Sequence, residues 1–222
     1  MSSTARIMQM AASAGGAAEI TDYTYVTYTT GGSAQAINMS SSAQAGDIAI
    51  GYTSGVGGSS TATWSGFTLI TGISSTFDDV FQYRIVQPGD AGSTFTNSNS
   101  TGYDVCALFI IRPNVPAGTV TINDLNNSGQ TSSTPANQLL DTPSTLPRLL
   151  VSVGSQYGYS SHTVSGHGSP SYSTGSFAYD YTYARMLMTV EIQNTTAGSR
   201  SISMSDYGSY NRLVSCIITA EP

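Results

Sequence analysis

From Ile20 onward, apolar and polar residues alternate with a two-residue period, broken by turns rich in Gly, Ser and Asn. This is the pattern of many short β-strands. Met186, Met188, Val190 and Ile192 fall on one face of such a strand and Thr189, Glu191 and Gln193 on the other, so the strand is expected to keep one wet face. Val105 to Ile111 is apolar at every position, which predicts a central strand covered on both faces. Further strands are predicted at about 23–29, 47–53, 66–72, 80–87, 119–123, 148–154, 176–184 and 199–204. No segment carries a 3.6-residue apolar repeat, so little helix is expected. So many strands do not stay in one flat open sheet. The expected architecture is all-β: a jelly-roll-like sandwich of two sheets packed face to face.

The strand pattern repeats. YDVCALFII at 103–111 and YNRLVSCII at 210–218 share their tyrosine and their final isoleucine pair. Upstream, QYRIVQPGDAGS at 82–93 and MTVEIQNTTAGS at 188–199 align Val86 with Ile192, Gln87 with Gln193, and a common Ala-Gly-Ser. GDIAIGYTSG at 46–55 and PRLLVSVGSQ at 147–156 match in hydrophobic pattern alone. The chain therefore reads as one sandwich domain over 21–222 with pseudo-repeats at about 21–122 and 123–222, preceded by a small-residue arm over 1–20 with room for a turn or two of helix. A long crossover between the halves is expected over Asn123–Pro147, because neither half alone carries enough strands for a good core.

Composition narrows the function. Only 9% of the 222 residues are charged and there is no lysine, against roughly 25% charged in an average soluble protein. Ser, Thr, Asn, Gln and Tyr must cover the surface, as in a rigid extracellular or particle-bound β protein. The seven arginines are scattered and the net charge is −6. That excludes a clustered cationic face for nucleic acid. No apolar run reaches the roughly 18 residues needed to span a bilayer, and the N-terminus is too weak in charge and apolar length for a secretory signal. Cys106 and Cys216 lie in apolar runs and read first as buried free thiols, with a disulfide between them as the alternative if their strands are neighbours.

Candidate chemistry is sparse. His162 and His167 lie in GYSSHTVSGHGSP, where serine is so common that a Ser–His proximity carries no information; both read as loop histidines on a polar surface. There is no Gly-x-Ser-x-Gly elbow, no His-Glu-x-x-His and no phosphate-cradling glycine loop. Asp78 and Asp79 are adjacent, so in a strand they point to opposite faces and read as a strand start rather than a glycosidase pair. INDLNN at 122–127 lacks the spacing of a calcium loop and reads as a solvated turn. No catalytic, cofactor-binding or metal-ligating residue is expected. The best candidate contact surface is Tyr157, Tyr159, Tyr172, Tyr179, Tyr181 and Tyr183, set among Ser and Gly. It reads equally as a partner or glycan contact and as a cross-strand aromatic ladder. Ile7, Met8 and Met10 form a candidate anchoring arm that would dock in a groove or add a strand to a neighbour's sheet.

AGDIAIGYTSG at 45–55, WSGFTLI at 64–70, FQYRIVQPGDAGSTFT at 81–96 and CALFIIRPN at 106–114, with LLVSV at 149–153 and CIITAEP at 216–222, together resemble a β-sandwich module of tailed-bacteriophage virion proteins. The resemblance spans roughly residues 44–222. The Pro-Ser-Gly usual before the Trp strand is replaced by Ala62-Thr63-Trp64-Ser65-Gly66. It implies a noncatalytic, homo-oligomeric structural subunit exposed on the virion surface and assembled in the host cytoplasm. The leading expectation is a capsid decoration, cement or head-fibre subunit bound to major capsid or tail proteins. The alternative is a tail-tip or tail-fibre module that binds a host surface glycan.

Overall fold

The computed structural model of the chain describes residues 3–5, 19–27, 35–55, 63–73, 78–97, 105–113, 116–128, 137–140, 148–157, 163–168, 171–173, 177–178, 185–193, 200–205 and 209–221. Among these there is no helix. The strands are β1 (Ser3–Ala5), β2 (Glu19–Thr27), β3 (Gln35–Asn38), β4 (Ile48–Gly55), β5 (Thr68–Ile73), β6 (Asp78–Ile85), β7 (Thr94–Asn97) and β8 (Val105–Arg112). There follow β9 (Thr119–Asn127), β10 (Asn137–Leu140), β11 (Arg148–Tyr157), β12 (Thr163–Ser165), β13 (Ser171–Ser173), β14 (Phe177–Ala178), β15 (Arg185–Gln193), β16 (Arg200–Ser205) and β17 (Ser209–Glu221). Two compact units result: residues 1–119 with 221–222, and residues 120–220.

Each unit has its own two sheets. In the first, the large sheet runs β1-β2-β8-β4-β6-β5 and the small one pairs β3 with β7. In the second, the large sheet runs β13-β15-β11-β17-β9, with β14 also on β15, and the small one runs β10-β16-β12. Counted from β2 to β8, the large sheet joins the first, last, third, fifth and fourth strands and the small sheet the second and sixth; counted from β9 to β17, the large sheet joins the first, last, third, seventh and fifth and the small sheet the second, eighth and fourth. This interleaving of two sheets is jelly-roll-like. Each pair of sheets closes on one core. Ile37 and Phe95 of the small sheet meet Ala49, Cys106, Leu108 and Ile110 of the large one around Trp64. Ile202 and Met204 meet Leu150, Leu213 and Ile217, with Val164 packed against them.

The duplication is visible in the register. The row Ile85–Ile48–Ile111 across β6, β4 and β8 has its counterpart in Ile192–Leu149–Ile218 across β15, β11 and β17. Ile111 thus falls on Ile218, as the 103–111 and 210–218 segments align. The upstream alignment is corrected by one residue, because Ile85, not Val86, is the counterpart of Ile192. The shared Ala-Gly-Ser that anchored it lies beyond the strand, after a connection one residue longer in the first half. A slip of one exchanges the two faces of a strand.

Other expectations change as well. The 123–147 stretch is no bare crossover: β9 continues through Asn127 and β10 lies within it. INDLNN is therefore strand rather than turn, with Asp124 at φ 48°. The arm contributes β1, antiparallel to β2 through Ser3↔Tyr25 and Ala5↔Tyr23. Thr189 and Glu191, on the face of β15 expected to be wet, are buried like Met188 and Val190. Of the strand expected at 176–184, only Phe177–Ala178 falls among the described residues. β8 is central, between β2 and β4, with Cys106–Ile111 buried throughout.

Candidate functional site

Four charged residues of the first unit hold turns. Gly46, at φ 89°, lies just before β4 and packs against Pro116. The next residue, Asp47, accepts from Gln44 N at 2.8 Å and takes a forked contact from Arg112, with Nε at 3.1 Å and Nη2 at 3.0 Å. Arg112 also donates to Ser42 O at 2.9 Å, so the pair fastens the turn before β4 to the end of β8. A second fork joins Arg84 on β6 to Asp90, through Nε at 2.7 Å and Nη2 at 3.0 Å. Asp90 also accepts from Gln87 N at 2.7 Å. Burial alone would push the Asp90 carboxyl up; the hydrogen bonds from Arg84 and Gln87 and the Arg84 charge outweigh it and hold its pKa below the ordinary carboxylate value. Arg84 reaches further, donating to Gly66 O at 2.7 Å and lying 5.3 Å from the Phe95 ring centre. The Gly-Asp and Tyr-Arg elements of the sequence are thus two planar, charge-assisted clamps.

The second unit holds the chemically richer group. Glu191 has the register position of Arg84: Arg84 pairs with Ala49 and Glu191 with Leu150, and both side chains reach the segment before the next edge strand. There Arg84 donates to a carbonyl, whereas Glu191 accepts from Gly168 N at 2.7 Å. His167 Nδ1 lies 3.8 Å from Glu191 Oε2, both side chains being only 3–4% exposed. Two residues along the ladder, Thr189, Ser152 and Ser215 stand side by side on β15, β11 and β17, all buried. Ser152 and Ser215 share a hydrogen bond of 2.9 Å. Histidine, carboxylate and hydroxyl are the components of a nucleophilic site, but every one of these side chains is sealed from solvent.

His167 is accordingly a buried histidine, correcting the surface reading. Its sequence signal was Glu191, an acid flanked by apolar positions on both sides. Of the tyrosines, Tyr157 ends β11 opposite Ser209, and Tyr172 sits in β13 opposite Val190. Tyr159, Tyr179, Tyr181, Tyr183, His162, Ile7, Met8 and Met10 lie outside the described residues. Among the described residues no three His, Cys, Asp or Glu side chains come together as a metal site, and no helix is long and apolar enough to cross a membrane. Cys106 and Cys216 are both buried and in no disulfide. Neither a protein-family model nor a curated protein matches the chain, so the functional reading stands on fold and side-chain geometry.

Proposed function

We propose that the chain is a noncatalytic structural subunit of a tailed-phage virion: a capsid decoration, cement or head-fibre protein seated on the particle surface. The observation that carries this reading is the use made of its few charged residues. Asp47, Arg84, Asp90 and Arg112 are spent on fastening turns of a sandwich built twice. Histidine, carboxylate and hydroxyls are enclosed inside the second copy. A jelly-roll scaffold of low charge suits a particle exposed to proteases and needs no cofactor. With no lysine available, attachment rests on apolar, tyrosine and backbone contacts, which salt does not weaken.

Density-gradient sedimentation of virions tests the proposal. The protein should travel with particles and stay attached in molar salt. Recovery at the top of the gradient, or release of intact protein by salt alone, would contradict it. A second reading, a glycan-binding tail-tip module, is favoured by the density of tyrosine between Tyr157 and Tyr183. It predicts binding of the purified protein to host cells.

A further inference from the structure

The two large sheets differ at one edge. In the first unit the opening strand, β2, is covered along its outer side by β1, supplied by the chain's own N-terminus. Its counterpart β9 is the terminal strand of the second unit's sheet, with β17 on one side and no described strand on the other. The duplication explains the difference. The strand that precedes β9 is β8, already used in the middle of the first sheet, so among the described residues no strand is left for this edge.

β9 is also the longest of the terminal strands, nine residues against six in β5 and three in β1 and β13. It lacks the usual defences of an edge. Natural edge strands are commonly blunted with lysine or proline; this chain has no lysine, and β9 contains no proline. Its first five residues, Thr119–Asn123, carry no charge. Val120 and Ile122 are half-buried on a common face, and Thr119 and Thr121 are exposed. The only interruption is Asp124, whose left-handed backbone ends the regular stretch.

We propose that β9 pairs antiparallel with β9 of a second copy, about a two-fold axis through Thr121. The sequence complements itself in that register. Thr121 faces Thr121 of the second copy, Val120 faces its Ile122, and Thr119 faces its Asn123. Threonine and β-branched pairs of this kind stabilise antiparallel ladders. No like charges oppose one another, and the contact is isologous, as a closed dimer requires. One sheet then runs through both molecules, and both open edges are satisfied at once. The pairing rests on topology alone and holds whether or not the protein belongs to a virion.

The test uses the full chain with single substitutions at Thr121, whose exposed side chain leaves the fold unaffected. Light scattering after gel filtration should give a dimer for the wild type. Thr121→Lys and Thr121→Glu each place like charges at the axis and should be monomers, with unchanged melting temperature. An equimolar mixture of the two should recover the dimer. Thr121→Cys should form an intermolecular disulfide under oxidation, because directly opposed Cα atoms lie within about 4.5–5.5 Å. Thr119→Cys should not, since its twin lies about 13 Å away along the strand. A wild-type monomer at millimolar concentration would overturn the proposal. So would a dimer that survives Thr121→Lys and gives no cross-link at residue 121.

Discussion

Ser152 and Ser215 share a buried 2.9 Å hydrogen bond at the position where Gly51 faces Leu108 in the first unit. The same backbone pairing is thus filled by two hydroxyls in one copy and by a glycine and a leucine in the other. The serines satisfy each other, so removing one leaves the other buried and unpaired. Ser215→Ala should cost about 1–3 kcal/mol. Removing both should cost less than the sum of the singles. Their neighbour Thr189 has a buried hydroxyl with no hydrogen-bond partner among the described residues, so Thr189→Val should leave stability unchanged or raise it. Denaturant unfolding of the four variants checks all of this, and additive serine losses would show the pair to be uncoupled.

Gly51 is small because Trp64 needs the space. A Cβ at residue 51 would run into the indole ring, which is fully buried and stacks edge-on with Phe67 at 5.2 Å. Gly51→Ala should therefore destabilise by about 1–3 kcal/mol through overpacking. Trp64→Ala and Phe109→Ala, which empty fully buried sites, should each cost about 3–5 kcal/mol. Midpoint shifts no larger than those of an exposed control such as Thr68→Ala would refute the core assignment.

The Arg84–Asp90 clamp makes a pH-dependent contribution whose sign is fixed. A carboxyl held below its ordinary pKa by folding adds stability at pH values above its unfolded pKa, and that stability is lost as pH falls through the folded value. Thermal melts should therefore show a falling melting temperature in mild to strong acid. Asp90→Asn should lower the melting temperature at neutral pH and flatten this acid-dependent part. An identical acid profile in the variant would mean that other carboxyls govern it.

Neither cysteine should react in the native protein. Cys216 is fully buried, and desolvation pushes its thiol pKa far up, disfavouring the reactive thiolate. Cys106 is equally enclosed. A thiol reagent such as Ellman's should titrate none in buffer and both after denaturation. Fast labelling of either would mean that its strand opens locally.

Most strands of the large sheets were legible in the sequence, whereas of the small sheets only β16 was, as the strand expected at 199–204. β8 announces itself as an unbroken apolar run, and β4, β11, β15 and β17 carry enough apolar positions to show a period. β3 and β7 are four residues long and are each held by one large apolar anchor, Ile37 and Phe95. No period can show in four residues. Missing them made each half look too poor in strands to hold a core. Glu191 misled in another way: an acid in an alternating strand marks a solvent face by rule, yet here it points inward to bind the Gly168 amide. The Asp47, Arg84, Asp90 and Arg112 motif was readable as residues, but their pairing was not. Arg112 and Asp47 meet across 65 positions, through a register that only the folded sheet defines.

Immunogold labelling of purified virions tests the central claim most directly, because it asks where on a particle this doubled scaffold sits. Gold distributed over the head surface is the result expected of a decoration or head-fibre subunit. Label confined to the tail tip would transfer the protein to the receptor-binding reading, and particles that bind no antibody would contradict the structural role altogether.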